Sequence, residues 1–486
     1  MNRFYVACDL GAEAGRVMLG TLHKDKQLTV SEARSFQNPP LKEKGSLHWN
    51  VPQLYQEIMV ALREISAYEE PVDGISCSSW AADYLLFASD GSLMTPTFHH
   101  DDPRTGAGMK EVFSKIPWEA IYEETGVCKM PGNTLFQLGA EKPKRLKRSR
   151  LLPIADGFNC LLSGVPRVEM CLASTTQLYN PLTRTWSDRL LKALRLPPEL
   201  FPQIVPPGTK LGALRPEIRK ETRVEGAQVI TSCSHRLTAA LVGLPVSHGE
   251  TWAFLQPGAW SVIGTELIGP IINDTSRESN FTNEMGYGGS IHFSKRVHGL
   301  WILDECRRFW KERDRELYDD VLTHLAISAE PFESLINPED PRFLASGDMP
   351  LKIQAFCRET GQPVPRKPGS ILRCVLESLA LLYRKTLQEL ENLTGREFTR
   401  LYLLGGSADD LLYSFTANAL QIPVVIAPAE ATAIGNVIVQ AMTLDHIKSL
   451  EEGREIVRQS FKMETITPHA AVWNAAYDRL AELVPA

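Results

Sequence analysis

The sequence lacks several features that would assign it to a specialised class of protein. Its nine cysteines form no CxxC pair and no zinc-type spacing, and their number is odd, which predicts reduced thiols rather than a disulfide framework. No uninterrupted apolar run is long enough to cross a bilayer. The first residues carry no basic segment followed by a short apolar run, so we expect a cytoplasmic protein with no membrane partner.

The chain also has only a small excess of charge of one sign. A net charge of −6 over 486 residues argues against nucleic acid as the main partner. The basic run at residues 142–148 is interpreted as a solvated helix face, which is the usual meaning of an isolated charge run. The apolar fraction of 43% is that of an ordinary globular protein, and the length exceeds what one core fills. Two domains are therefore expected.

The chain is organised around residues 227–245, and this stretch contains no carboxylate. Val229 and Ile230 predict a strand, and residues 237–244 predict a helix. The polar elbow between them, residues 232–236, offers a thiol, an imidazole and a guanidinium but no carboxylate. Elbows of this kind present reactive side chains at the crevice of an α/β fold. We place the domain division here, with domains at 1–245 and 246–486.

The first residues predict a hairpin. Two strands, residues 4–10 and 17–22, flank a glycine-bearing turn with Asp9 at its start and Arg16 at its end. Backbone N–H groups of such a turn can face a phosphate, and an acid at the strand end suits a Mg²⁺ held through water. A plain hairpin turn explains the DxGxxxxR pattern equally well.

Further elements complete an α/β pattern. A long helix is predicted over residues 371–390, with Ser370 as its N-cap and Gly395 past its end. A strand at residues 400–404 runs into Gly405 and Gly406, where backbone can approach a nucleotide closely. The remaining elements are strands at 28–36, 72–77 and 260–267, a helix at 53–68, and two helices after residue 445.

Many short motifs follow one another in a recognisable order. They include SWAADYLL at 79–86, ASTTQL at 173–178, NFTNE at 280–284, GDMP at 347–350, CRETGQPVP at 357–365 and EATAIGN at 430–436. With these motifs the chain resembles the FGGY carbohydrate kinases, and within them the L-rhamnulokinases. The resemblance implies an α/β fold of two actin-like (ribonuclease H-like) domains, each with a five-stranded mixed sheet. It also implies that sugar and ATP bind in the cleft between the domains.

The resemblance makes the elbow informative. Rhamnulokinases carry Ser-His-Asp-Thr there, and the Asp is the general base for the sugar hydroxyl. This chain has Ser234, His235, Arg236 and Leu237 instead. A guanidinium has no lone pair to accept a proton and stays charged near neutral pH, so Arg236 cannot act as that base.

Other positions that the resemblance places at ligands are also replaced. A hydroxyl is missing at Ala14 and at Ala259, and charge is introduced at Arg296 and at Asp304. The implied sugar-binding positions are Ala81, His235, Arg236, Leu237 and Arg296. The implied nucleotide-binding positions are Asp9, Gly11, Ala12, Glu13, Ala14, Gly15, Arg16, Ala259, Asp304, Gly405 and Gly406, with Asp9 holding Mg²⁺ through water if the ion binds.

Residues that match structural motifs remain, while those implied to touch ligands are replaced. This pattern predicts a rhamnulokinase-like homologue that has lost or changed ATP-dependent sugar phosphorylation, either by drift or by rebuilding the cleft for another small sugar or metabolite. ATP and Mg²⁺ are its cofactors if kinase-like binding remains, and a protein partner stays open. The alternative is an active kinase for L-rhamnulose or a related ketose, with a relocated base.

Three smaller hypotheses accompany this interpretation. Residues 99–102, His-His-Asp-Asp, suit a metal, but neighbours in an extended segment point to opposite faces, which favours a structural role. Cys233 beside His235 resembles a nucleophile and its base, although a small buried apolar role is commoner. Relatives carry Arg at position 101 and Asp at 236, so an Arg236–Asp101 pair is weighed against two independent changes.

Overall fold

A computed structural model of the chain describes residues 1–68, 70–313, 318–405, 410–469 and 472–483. These residues divide into two compact units. The first unit comprises residues 1–248, 266–293 and 430–462, and the second comprises residues 249–265, 294–429 and 463–486. Each unit contains three separate stretches of the chain. The division of the chain into two domains after Pro245 therefore stays a prediction.

The strands, in chain order, are β1 (Arg3–Leu10), β2 (Ala14–Leu22), β3 (Leu28–Gln37), β4 (Leu41–Glu43), β5 (Ser46–Trp49), β6 (Val72–Ser79), β7 (Tyr84–Ala88), β8 (Leu93–Met94), β9 (Thr97–Phe98), β10 (Ser149–Pro153), β11 (Val168–Glu169), β12 (Tyr179–Asn180), β13 (Thr185–Trp186), β14 (Ile204–Val205), β15 (Thr209–Ala213), β16 (Gln228–Thr231), β17 (Trp252–Gln256), β18 (Trp260–Leu267), β19 (Phe281–Met285), β20 (Ile291–His298), β21 (Arg400–Leu403), β22 (Val424–Ile426) and β23 (Glu464–Ile466).

The α-helices are α1 (Val51–Ser66), α2 (Arg104–Phe113), α3 (Trp118–Thr125), α4 (Thr134–Gly139), α5 (Pro143–Leu146), α6 (Ile154–Ser163), α7 (Met170–Thr175), α8 (Asp188–Leu194), α9 (Pro216–Thr222), α10 (Arg236–Val242), α11 (Asp274–Glu278), α12 (Trp301–Lys311), α13 (Asp319–Ile327), α14 (Met349–Glu359), α15 (Pro368–Thr394), α16 (Asp410–Leu420), α17 (Ala431–Thr443), α18 (Leu450–Ser460) and α19 (Trp473–Leu483). Short 3₁₀ helices lie at Pro198–Leu200, Tyr287–Gly289 and Pro341–Phe343. Within the described ranges, none of the helices combines the length and the apolar character that a membrane span requires.

The first unit is built on a mixed sheet with the order β15-β16-β6-β1-β2-β3. The predicted hairpin is present, with β1 and β2 antiparallel and Asp9 opposite Arg16. Strands β6 and β16 join β1 in parallel, and β15 adds an antiparallel edge. The expected five strands are therefore six, because Thr209–Ala213 pairs with the strand that leads into the elbow.

The second unit carries the consecutive strands β18-β17-β21-β22-β23 of a sheet that has seven strands rather than the expected five. Its longest helix, α15, starts before the predicted N-cap, because Pro368 occupies the first helical turn and Lys367 is the capping residue. The helix ends at Gly395, whose φ of 64° lies in the left-handed region that glycine adopts without strain. The mixed sheets and flanking helices match the α/β class predicted from the sequence.

Candidate functional site

The elbow lies between β16 and α10, at the carboxyl end of a parallel strand. Backbone pairing with the end of β6 holds it, since Ser79 N donates to Ser234 O at 2.8 Å. Ser78 Oγ donates to Cys233 O at 3.1 Å, and Asn436 Nδ2 donates to Ser78 Oγ at 2.9 Å. Hydrogen bonds from two neighbouring elements therefore fix the backbone just before His235.

Two buried carboxyl groups accept hydrogen bonds from Ser234 of the elbow. Ser234 Oγ donates to Asp156 Oδ1 at 2.8 Å, and Ser234 N donates to Glu169 Oε2 at 2.9 Å. Burial raises the pKa of Glu169 to about 7. Burial, reinforced by the negative charge of Glu169, also raises the pKa of Asp156 well above its usual range. Sequence reasoning missed both acids, although each stands in an apolar stretch.

Arg236 turns its guanidinium onto Asp9, the acid at the end of β1. Nε lies 2.5 Å from Asp9 Oδ1, and Nη2 lies 3.1 Å from Oδ2, which is a two-point contact. The charge of Asp9 raises the pKa of Arg236, which therefore stays a cation. Arg16 Nη2 lies 3.5 Å from Asp9 Oδ2 and adds a second, looser contact. The two ends of the predicted hairpin turn and the elbow thus meet at one carboxylate.

The Arg236–Asp101 pair weighed from the sequence is wrong, because Arg236 binds Asp9 instead. Asp101 has a side chain that is 73% exposed and lies near two histidine rings, with His99 Nδ1 at 3.9 Å and His100 Nε2 at 3.7 Å. The sign exchange between positions 101 and 236 therefore does not reflect a direct contact. The positive charge of Arg236 is instead balanced by Asp9 of the hairpin.

The loop between β1 and β2 packs against the same guanidinium. A side chain at Gly11 would meet Ala14 O at 2.2 Å and Arg236 Nη1 at 3.0 Å, so glycine is required here. Asn38 braces the loop, because its Nδ2 donates to Gly11 O and its backbone N donates to Glu13 O. Ala12, Glu13, Ala14 and Gly15 complete the loop and the start of β2.

Asp9 does not fit the role of holding a Mg²⁺ through water. Its side chain is 2% exposed, and both of its oxygens face guanidinium nitrogens of Arg236 and Arg16. A water on the ion must donate to a carboxylate oxygen, and here three guanidinium contacts occupy most of the roughly four acceptor positions of a buried carboxylate. A hydroxyl is also absent from Ala14 beside the turn.

The remaining elbow residues have separate surroundings. His235 Nδ1 lies 3.4 Å from Glu284 Oε2, and its side chain is largely buried. Leu237 is buried in the first turn of α10, so its side chain is core rather than surface. Ala81 lies in the turn after β6 and is half-buried. Burial raises the pKa of Cys233, which disfavours the thiolate that a nucleophile needs.

Other predicted ligand positions lie in the second unit. Ala259 precedes β18, and its carbonyl accepts from Gly299 N at 3.1 Å. Arg296 is exposed on β20, and Asp304 is exposed on α12 with Arg307 Nη1 3.7 Å away. Gly405, with a φ of 90°, follows β21 as predicted. Gly406 lies outside the described residues.

Another buried carboxylate, Asp83, has an unusually complete set of donors. Its Oδ2 accepts from Nε1 of Trp49 and Nε1 of Trp80, each at 2.8 Å. Gln137 Nε2 donates to Oδ1 at 2.8 Å, and His100 Nδ1 lies 2.7 Å from Oδ2. Burial opposes its ionisation, but His100 and these donors outweigh burial and lower the pKa of Asp83. Sequence reasoning did not single out Asp83.

Comparisons with known proteins identify the family and the fold of the chain. The model of the FGGY carbohydrate kinase N-terminal domain matches residues 4–243, and that of the C-terminal domain matches residues 254–444. The chain is 37% identical to a rhamnulokinase of Bacteroides thetaiotaomicron, covering 98% of each chain. It is 34% identical to one of Enterococcus faecalis, covering 95% of this chain and 94% of that one. A ligand-bound xylulose kinase from Lactobacillus acidophilus has the same fold, with a TM-score of 0.82 at 16% identity over 99% of this chain and 97% of that chain.

Proposed function

Since the chain belongs to the FGGY family of carbohydrate kinases and is rhamnulokinase-like, we propose that it has lost or changed ATP-dependent sugar phosphorylation and binds a small sugar or metabolite. The observation that carries this proposal is the two-point contact between Arg236 and Asp9. One residue replaces the family's general base and also covers the acid that would hold Mg²⁺.

The chemistry of phosphoryl transfer explains why this contact matters. The attacking hydroxyl must give up a proton, and loss of the group that accepts it typically lowers the rate by about 10²–10⁴. Charge on the transferred group must also be neutralised by positioned cations, usually with Mg²⁺. Arg236 can neutralise charge but cannot accept a proton, and its positive charge is already balanced by Asp9.

Nucleotide binding is weakened by the same set of replacements. Ala14 and Ala259 supply no hydroxyl where the family has one, and Asp304 adds an exposed carboxylate where a triphosphate is expected. Like charges repel, so we propose an ATP affinity well below that of active relatives. Calorimetry with ATP and Mg²⁺ measures this directly, and micromolar or tighter binding would contradict it.

The decisive experiment separates binding from turnover. Purified protein is incubated with L-rhamnulose, ATP and Mg²⁺, and ADP release is followed. We expect no release above background, while thermal-shift scans with a panel of ketoses report a stabilising ligand. Arg236→Asp restores the family residue but leaves Ala259, Arg296 and Asp304, so it should not restore turnover by itself. A robust rate in the unmodified protein would end the proposal.

A second candidate is an active kinase with a relocated base. It is favoured by His235, whose Nδ1 lies 3.4 Å from Glu284 Oε2 directly beside Arg236. An imidazole oriented by a carboxylate is a common general base. If ADP release is detected, His235→Asn should abolish it and Glu284→Gln should reduce it. Release that is unchanged in both variants would exclude this base.

A further inference from the structure

We propose that His99, His100 and Asp101 form a binding site for a divalent transition metal ion, with Zn²⁺ as the ion that fits best. One ring nitrogen of each histidine and one carboxylate oxygen lie within 4.8 Å of one another. His99 Nδ1 and His100 Nε2 lie 3.9 and 3.7 Å from Asp101 Oδ2. The site is independent of whether the chain phosphorylates a sugar.

A turn brings these neighbouring side chains together. Sequence reasoning treated the segment as extended, but β9 ends at Phe98 and Asp102 N donates to His99 O at 2.9 Å. The imidazole rings of His99 and His100 consequently stack, with their centroids 4.2 Å apart and an angle of 26° between the rings. The argument that adjacent side chains point to opposite faces therefore does not apply here.

His100 is oriented as metal-binding histidines usually are. Its Nδ1 lies 2.7 Å from Asp83 Oδ2, and Asp83 is fixed by the indoles of Trp49 and Trp80. A histidine that donates Nδ1–H to a carboxylate presents the lone pair of Nε2 on the opposite edge. In this protein that edge faces the carboxylate of Asp101.

His99 is held in place by burial and ring stacking. It is 8% exposed and stacks on Trp49, with ring centroids 4.2 Å apart. Its Nδ1 accepts a hydrogen bond from Asp101 N at 3.0 Å, which a bound ion must replace. We therefore expect micromolar rather than nanomolar affinity.

The two separations that involve Asp101 are close to those around a bound ion. Tetrahedral ligands about 2.1 Å from Zn²⁺ lie roughly 3.4 Å apart. The separations of 3.9 and 3.7 Å thus need to shorten by about 0.5 and 0.3 Å, and the two ring nitrogens, which lie within 4.8 Å of each other, must reach the same spacing. Asp101 can supply this movement, because its side chain is 73% exposed and lies outside any helix or strand.

The ligand set selects the metal. Two imidazoles and one carboxylate are the three-ligand set of open zinc sites, which leave a fourth position for water or another oxygen ligand. Mg²⁺ prefers oxygen ligands and keeps its water, so it should compete poorly. The open position would accept a hydroxyl or carboxylate oxygen of a metabolite near the Ala81–Asp83 turn.

Titration of the full chain with ZnCl₂ tests the proposal. We expect one saturable site in calorimetry, and with CoCl₂ the visible absorption bands of tetrahedral Co²⁺. Asp101→Asn should weaken Zn²⁺ binding by at least about tenfold, and His100→Gln should weaken it further. Asp274→Asn is the matched control, because it removes an equally exposed carboxylate of the same unit, 82% exposed, away from the histidines.

Two outcomes would overturn the proposal. One is the absence of saturable binding up to about 100 µM Zn²⁺, which corresponds to a binding free energy weaker than roughly −5.5 kcal/mol. The other is binding that Asp101→Asn leaves unchanged, which would place the ion elsewhere. Asp101 is exposed, so this variant should fold even if His100→Gln does not, and circular dichroism checks both.

Discussion

Asp9 and Asp83 are both buried acids of the first unit, and their surroundings differ in kind. Each is 2% exposed, one at the end of β1 and the other in the turn after β6. Asp9 faces the two guanidinium groups of Arg236 and Arg16. Asp83 is satisfied mainly by neutral indole and amide donors, and His100 is its titratable partner among the described residues.

The difference indicates which acid can still serve a ligand. A carboxylate that faces fixed cations has its charge cancelled inside the protein, so little remains for an added Mg²⁺. A carboxylate held by neutral donors keeps its negative charge, and this charge raises the basicity of the imidazole that it orients. Under the proposed function, the replacement at position 236 closes one site, whereas the donors of Asp83 keep a second group of side chains in place.

The largest effect is expected when Asp83 is removed. Asp83→Ala leaves the indole N–H groups of Trp49 and Trp80 buried without their acceptor, which should cost about 3–5 kcal/mol of unfolding free energy, whereas Gln137 Nε2 still donates to Ala82 O and Gly132 O. Urea denaturation followed by circular dichroism measures this. Asp101→Ala is the control and should change stability by no more than about 0.5 kcal/mol. A loss below about 1 kcal/mol for Asp83→Ala would mean that other groups satisfy these donors.

The acids below the elbow give the next effect, and they add a pH dependence. Asp156→Ala leaves Ser234 Oγ and Glu169 N without their acceptor and should cost about 2–3 kcal/mol. Asp156→Asn should cost less, because its amide group can donate to Ser234 Oγ while its oxygen still accepts from Glu169 N. Denaturation of the two variants separates the loss of stability caused by the missing hydrogen bonds from that caused by the missing charge.

Glu169 sets the sign of that pH dependence. Its folded-state pKa, about 7, lies above the ordinary value of 4.5, so the folded chain binds the extra proton between these values. Its contribution to stability is therefore present below about pH 4.5 and is lost as the pH rises towards 7. Denaturation across this range should show the decline. Glu169→Gln should reduce it, and the remainder belongs to Asp156, whose pKa burial also raises. An unchanged slope in that variant would assign the titration elsewhere.

A double-mutant cycle on Arg236 and Asp9 should give a smaller effect. We expect a coupling free energy of about 1–2 kcal/mol, moderated because the Arg236 side chain is 34% exposed and solvent screens the pair. The matched cycle with Arg236→Ala and Asp101→Ala should be additive. Coupling in the second cycle, or its absence in the first, would contradict the placement of the guanidinium.

Much of this could be predicted from the sequence, and the reason is local. Alternating and helical apolar patterns predicted the hairpin β1–β2, the strand β16 before the elbow and most of α15, because these elements bury regular faces. The sixth strand of the first sheet was missed, since Thr209–Ala213 contains Gly212 with a positive φ and a register shift.

The partners of the charged side chains could not be predicted. The sequence showed that position 236 carries a cation, but its partner, Asp9, is 227 positions away and is brought near by the parallel pairing of β1, β6 and β16. His99, His100 and Asp101 come together in a turn that contains no glycine, so no sequence signal predicts it. Burial of Asp156 and Glu169 likewise depends on packing from several elements.

The smallest effect concerns the second arginine on Asp9, and it decides which cation neutralises that acid. Arg16 makes one contact at 3.5 Å, whereas Arg236 makes two, at 2.5 and 3.1 Å. A single long contact from a side chain that is 31% exposed contributes little, so Arg16→Ala should cost at most about 0.5 kcal/mol. The same denaturation experiment on Arg236→Ala should give a larger loss, because Asp9 then keeps only the looser partner. If Arg16→Ala proves the costlier change, Arg16 is the residue that balances Asp9, and the guanidinium of Arg236 remains available to an incoming anion.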